Sequence, residues 1–206
     1  MEDDRQYAPA TARNRDAILS VLTEALPKAG NILEISSGTG EHAVYFAPFI
    51  QPRLWIPSDP NPIAIASIMA WQKFAPAPNL VAPLSIDVTH EDWHSQHDLP
   101  HQNIQAIVNI NMIHISPWSA CLGLMAGASE LLPQGGILYL YGPYKQDGQH
   151  TAVSNADFDI SLRSQNPDWG VRDLNDVVTV AKDHQLSLSH IKSMPANNLS
   201  VIFTKA

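Results

Sequence analysis

Gly38 and Gly40 stand in the stretch NILEISSGTGEHA, Asn31 to Ala43, between a short apolar run, Ile32 to Ile35, and the helical-looking EHAVYFAPFI. Glycines at such a turn allow positive φ and keep side chains out of the space above the backbone. The N–H groups that open the following helix point toward whatever lies over the loop. The chemistry this suits is the cradling of a nucleotide, and carboxylates follow at matching places. Asp59 comes 21 positions after Gly38 and closes the apolar run Leu54-Trp55-Ile56, where a carboxylate can accept both hydroxyls of a ribose. Asp87 ends the next apolar run, in LSIDVTHEDW, placed to accept the exocyclic amine of an adenine, with the Val88 backbone N–H available to a ring nitrogen. Glu34 lies inside the first run, four residues before Gly38. Each acid has a structural explanation of its own, as a paired acid, a helix-start turn or a turn cap. A series of acids on three successive strand candidates is harder to explain by packing alone.

The run Gly38 to Ala43 also satisfies G-x-G-x-x-G/A, so a dinucleotide site, and with it an NAD-dependent oxidoreductase, stays open. A second constellation comes from IQAIVNINMIHISPW, where Asn109, Asn111 and His114 gather at the carboxyl end of a strand expected over 104–110. Open α/β sheets bind ligands at that edge. His114 is the candidate general base, because imidazole titrates near neutrality; the alternative is a histidine that packs and hydrogen-bonds to shape the pocket. Asn109 and Asn111, two positions apart on an extended strand, are expected to face one side. Tyr141 and Tyr144 either wall an acceptor site or fill the core. His90, His94, His97 and His101 are read as surface residues rather than metal ligands, since they spread along a polar stretch with no cysteine partner.

These groups need elements to position them. Residues 1–11 read as a loose arm, followed by a helix whose apolar positions run from Ala17 to Leu26 and which Pro27 and Gly30 end. Arg13 and Arg15 flank its start, where cations oppose the helix dipole. Pro60-Asn61-Pro62 starts a helix reaching Phe74. A third strand is expected over Val81 to Ile86 and a fifth in ILYLYG, with Ser116-Pro117 as cap and first residue of a helix to Leu132 between the fourth and fifth. The long polar stretch from Pro143 to Asn155 and the segment to Arg172 read as a lid over the ligand edge. Helices are expected over 157–164 and 174–184, and the chain closes with two alternating strands around SMPANN.

A chain of 206 residues suits one domain, 1–206. Its net charge is −8 with no Lys/Arg cluster, which argues against a grip on nucleic acid or an anionic membrane and for a small-molecule partner. The lone Cys121 rules out an internal disulfide, and the start MEDDRQYAP lacks the basic end and apolar stretch of a signal peptide, so a cytoplasmic location is expected.

EISSGTGEHA, NINMIHISP, YGPY, SN-x-x-FD-x-x-LR, NP-x-WG-x-RD and MPANN, in this order from about Arg13 to Lys205, resemble a family of small methyltransferase-like proteins classed as a domain of unknown function, DUF938. The resemblance implies the Rossmann-like α/β fold of class I methyltransferases: a seven-stranded, mostly parallel sheet, a C-terminal antiparallel hairpin and helices on both faces. It implies S-adenosylmethionine as cofactor. In that superfamily the E-x-x-x-G-x-G pattern makes Glu34 an acid that helps fix the loop and the methionine end of the cofactor. Ser36 stands where a first glycine is usual, as is the habit of the family. Cofactor binding thus falls to Glu34, Ser36, Gly38, Gly40, Asp59, Asp87, Val88 and Asn109, catalysis to His114 and Asn111, and acceptor binding to Tyr144, Asn155 and Arg172. A non-catalytic cofactor-binding or protein-interaction module on the same fold is the alternative.

Overall fold

The apolar runs form strands that are buried on both faces, and their alternation sorts residues between two cores. In this computed structural model, which describes residues 3–206, β1 is Asn31–Ile35, β2 Trp55–Pro57, β3 Ile104–Ile110 and β4 Ile137–Pro143. Ile107, Leu138, Leu140 and Phe203 face one cluster; Ala106, Val108, Tyr139 and Ile202 face the other. A strand buried on both sides reads as a continuous apolar run, which is why these segments are recognisable without alternation.

A two-stranded ribbon follows, β5 Lys145–Gln146 with β6 Gln149–His150, and the chain ends in β7 Leu186–Met194 and β8 Asn198–Lys205. The main sheet has the order β2-β1-β3-β4-β8-β7, parallel from β2 to β4 and antiparallel across β4, β8 and β7. Helices α1 (Pro9–Ala25) and α2 (Glu41–Phe46) supply Ile18, Val21, Leu22 and Phe46 to one core. Helices α4 (Trp118–Leu131) and α6 (Leu174–Asp183) supply Cys121, Leu124, Met125, Val177 and Ala181 to the other. Helix α3 is Pro62–Phe74 and α5 is Val153–Gln165. Each large aliphatic buried this way contributes about 1.5–3 kcal/mol.

Among the described residues the sheet has six strands, not seven. The expected third strand forms no ladder with β2: the pairing is two isolated bridges, Leu80 with Trp55 and Leu84 with Ser58, and the N–H groups of Val81 and Leu84 donate to the Trp55 and Pro57 carbonyls. Pro83 lies between the bridges and has no N–H to give a ladder, which confines it to such broken edges. The expected loose arm is also shorter, because α1 starts at Pro9, where the fixed φ of proline suits a first turn. Pro117 rather than Ser116 takes the cap position of α4, and the Ser116 hydroxyl instead donates to the Met112 carbonyl at 2.7 Å. Helix α5 begins four residues before the expected 157.

Helix α4 lies close to its neighbours because of two glycines one turn apart. A side chain at Gly123 would meet the Val88 carbonyl, and one at Gly127 would meet the Trp93 indole, whose N–H donates to the Gly123 carbonyl at 2.8 Å. This packing fixes the segment that carries Asp87 and Val88. Gly127→Ala is expected to lower stability by about 1–3 kcal/mol, seen as a lower denaturant midpoint with an unchanged slope.

Candidate functional site

The loop after β1 is built from left-handed backbone. Ser36, Gly38 and Gly40 have φ of 56°, 57° and 88°. Ser36 therefore sits where a glycine would relieve strain of roughly 1 kcal/mol. A Cβ on Gly40 would lie 2.8 Å from the Ile68 Cα, so glycine lets α3 approach. A Cβ on Gly38 would meet nothing within 4 Å, so the space above it is open.

The acids hold this loop from below. Glu34 is buried and its Oε2 accepts from the Ser37 hydroxyl at 2.8 Å and the Trp55 indole N–H at 3.0 Å. Burial pushes its carboxyl up to about 7, with the Asp59 charge adding, against the pull of those two hydrogen bonds. Asp59 accepts from the Gly38 N–H through Oδ2 and from the Asn61 N–H through Oδ1, both at 2.9 Å. Burial raises its pKa, and the two N–H groups oppose the rise. Asp87 accepts at Oδ1 from the Thr89 N–H and hydroxyl, a local turn, and its Oδ2 has no hydrogen bond among the described residues.

The fourth expected strand brings Asn109 to the point where strand order reverses, between β1 and β3. Its Nδ2 donates to the Ile35 carbonyl at 2.9 Å, while its buried Oδ1 has no partner among the described residues. Such an orphaned acceptor normally has a partner. Asn111 does not share its face as expected: β3 ends at Ile110, and Asn111 turns to a φ of 64° with its N–H on the Tyr141 carbonyl. Gly142 on β4 makes room here, since a Cβ would lie 2.4 Å from His114 Nε2 and 3.1 Å from Asn111 Oδ1.

His114 is fully buried, and the reason for expecting a base does not hold at this position. Burial, with the Arg172 charge adding, pushes its pKa down to about 3, so the ring is neutral at neutral pH. Nδ1 accepts the Arg172 backbone N–H at 3.3 Å, which puts the ring proton on Nε2, and Nε2 has no partner among the described residues. Tyr144 packs edge-on against the ring at 5.1 Å between centroids, its hydroxyl likewise orphaned.

Arg172 braces the turn after β3. Its Nε donates to the Ile113 carbonyl at 2.9 Å, and Nη2 to those of Ser116 and Asp168, both at 2.8 Å. Asn155 ties α5 to the closing turn, donating to Thr151 Oγ1 and to the Asn197 carbonyl at 3.0 Å. The hub of this segment is Asp159, which the sequence left unremarked inside SN-x-x-FD-x-x-LR. It meets Lys145 at 3.2 Å, His150 at 3.3 Å, Arg163 at 3.2 Å and the Val171 N–H at 2.7 Å. Burial alone would raise its pKa; the Val171 N–H and the Lys145 and Arg163 contacts bring it below the usual carboxylate value. Asn14, on α1, is a second residue the sequence did not flag: it is buried, with Oδ1 2.9 Å from His42 Nε2. Among the described residues no three His, Cys, Asp or Glu side chains are grouped to hold a metal, and no helix is long and apolar enough to cross a membrane.

A parallel sheet with a glycine loop at its switch point, closed by an antiparallel hairpin, defines a class I methyltransferase-like fold. Solved methyltransferases superpose on it. An O-methyltransferase family protein from Burkholderia thailandensis matches with a TM-score of 0.78 at 13% identity, over 96% of this chain and 57% of its own. Human N-acetylserotonin methyltransferase in complex with SAM gives 0.77 at 11%, over 96% and 53%; CalO1, a methyltransferase of calicheamicin biosynthesis in its SAH-bound form, gives 0.73 at 13%, over 96% and 54%. The chain spans little more than half the length of each, and identities this low speak for the fold alone. The chain itself belongs to the family described as "Protein of unknown function (DUF938)", which matches residues 5–205.

Proposed function

We propose that the protein is an S-adenosylmethionine-dependent methyltransferase with a small-molecule acceptor, in one domain whose segment 143–172 covers the site. The observation that carries this reading is the open, side-chain-free space above Gly38, anchored to Asp59, in a sheet that ends in an antiparallel hairpin. An NAD-binding sheet of the doubly wound type is mostly parallel, whereas here β4, β8 and β7 pair antiparallel.

The cofactor would supply a methyl group on a sulfonium, already activated for in-line displacement. The residues present fit it. Asp59 holds the loop and has lone pairs left for ribose hydroxyls; Asp87 Oδ2 and the Val88 N–H suit an adenine edge; the orphaned Oδ1 of Asn109 suits the methionine ammonium, with Glu34, Ser36 and Gly40 shaping the loop beneath. Asn111 and His114 come next along the chain, at the acceptor side. His114 acts there as a neutral donor through Nε2, positioning the acceptor rather than removing its proton. Tyr144 walls that side, and Asn155 and Arg172 order the cover above it. Transfer without a base requires an acceptor atom that is nucleophilic when neutral or already ionised.

Calorimetry with S-adenosylmethionine, S-adenosylhomocysteine and NAD tests the reading. We expect micromolar binding of the first two, about −8 kcal/mol, silence with NAD, and loss of binding in Gly38→Leu with the fold intact. NAD binding in place of the other two would sink it. A buried, neutral His114 also favours a second reading, a cofactor-binding module without catalysis; it gains if binding is present and no methyl transfer to metabolite extracts is found.

A further inference from the structure

A cavity of about 630 Å³ lies beneath the β5–β6 ribbon, lined by Trp118, Lys145, Arg163, Arg172, Asp173 and Asp176 among others. Most of its charges are already matched. Lys145 and Arg163 both pair with Asp159. Asp173 accepts from the N–H groups of Asn175 and Gly148 at 2.9 and 2.6 Å, and Asp147 from the Asn175 amide at 2.8 Å. Of the three lining cations, Arg172 is the one without an ion pair among the described residues. Its guanidinium is half-buried, has no carboxylate within ion-pair distance among the described residues, and makes no hydrogen bond through Nη1. Its Nη1 is left for a ligand, and a planar guanidinium is matched in geometry by a carboxylate. The indole of Trp118 lies 5.5 Å beneath it, an aromatic surface beside the charge.

We infer that this cavity binds a small molecule through a single carboxylate, seated on Arg172 with its apolar body along Trp118. The acids of the rim set the selectivity. Asp147, Asp173 and Asp176 repel a second negative charge, so phosphates and polycarboxylates are rejected where a monocarboxylate or an amino acid is accepted. The Arg172 backbone N–H also holds His114 Nδ1, which links the filled cavity to the sheet edge.

The test is an NMR titration of the full chain with benzoate, its neutral analogue benzamide and inorganic phosphate, observing the Trp118 indole N–H and the Arg172 Nε–H. Saturable shifts with benzoate alone are expected. Arg172→Gln should abolish them. Because Arg172 also braces the turn after β3, Asp176→Asn serves as the second variant: Asp176 is exposed and holds no hydrogen bond or ion pair among the described residues. It should tighten benzoate binding roughly twofold or more at low ionic strength and admit phosphate. No shift with benzoate, equal shifts with benzamide, or an affinity unchanged in Asp176→Asn would each overturn the inference. The titration contains no S-adenosylmethionine, so its outcome is independent of whether the glycine loop binds that cofactor.

Discussion

Asp59→Ala is expected to bind S-adenosylmethionine at least about a hundredfold more weakly than the parent chain, about 2.8 kcal/mol, and calorimetry will show it. Two losses combine. The ribose hydroxyls lose their acceptor, and hydrogen bonds to an ionised partner contribute about 1.5–3 kcal/mol. The Gly38 N–H loses its 2.9 Å acceptor at the same time, so the loop is freed at the point where the ligand space opens. Asp59→Asn separates the two. Its amide oxygen can still accept from one N–H, but its NH₂ faces the other donor, so it should bind more tightly than Asp59→Ala and less tightly than the parent. The variants should still fold, because Ser37 N–H to the Ser58 carbonyl and Ser58 hydroxyl to the Glu34 carbonyl tie the strand ends together without Asp59. Parent-like affinity in a folded Asp59→Ala would remove Asp59 from the site and leave its carboxylate a loop anchor only.

The parts of this fold that the sequence reveals are those fixed by local rules. Pro62 opens α3 directly after Asn61, whose side chain caps the Ile63 N–H at 2.9 Å, within the stretch Pro60-Asn61-Pro62 expected to start it. β3 spans the full apolar run Ile104–Ile110 because both faces are covered. The glycine loop is legible for the same reason: left-handed φ at Gly38 and Gly40 is a local demand. What fails is whatever depends on distant partners. Pro83 removes a ladder from the edge of β2, and only the pairing shows how little of a strand is left. His114 lies just past the end of β3, where the strand period no longer predicts its facing, and its neutral state comes from burial under Tyr144 and beside Arg172. Asp159 is one acid among twenty in the sequence until folding brings Lys145, His150 and Arg163 around it. Gly142 is similar: within ILYLYG it reads only as a strand residue, and the room it leaves for His114 and Asn111, in the turn after β3, shows only in the fold.

Glu34→Gln is expected to stabilise the protein at pH 8 by up to about 3 kcal/mol and to flatten its stability between pH 5 and 7. The buried carboxyl has a folded pKa of about 7 against its ordinary 4.5, raised first by burial and then by the Asp59 charge. Below the lower of these values both folded and unfolded chains are protonated, and Glu34 adds no pH dependence. Between them the folded chain keeps a proton that the unfolded chain has released, so stability falls as pH rises. Above about 7 both are ionised, and the full cost of a buried charge remains. Glutamine keeps an oxygen that can accept from the Ser37 hydroxyl and Trp55 N–H, so little else is lost. Denaturant midpoints at pH 5, 7 and 8 check this: the parent should lose stability across the series and Glu34→Gln should not, once their common pH dependence is subtracted. A destabilised Glu34→Gln at pH 8 would mean that ionised Glu34 stabilises the fold and that its neighbours outweigh burial. The parent's predicted penalty has a use at the proposed site. A carboxylate that burial destabilises gains most from a nearby cation, so a sulfonium or ammonium arriving over the loop should draw off its proton, and affinity for S-adenosylmethionine should rise with pH up to about 7 in the parent but not in Glu34→Gln.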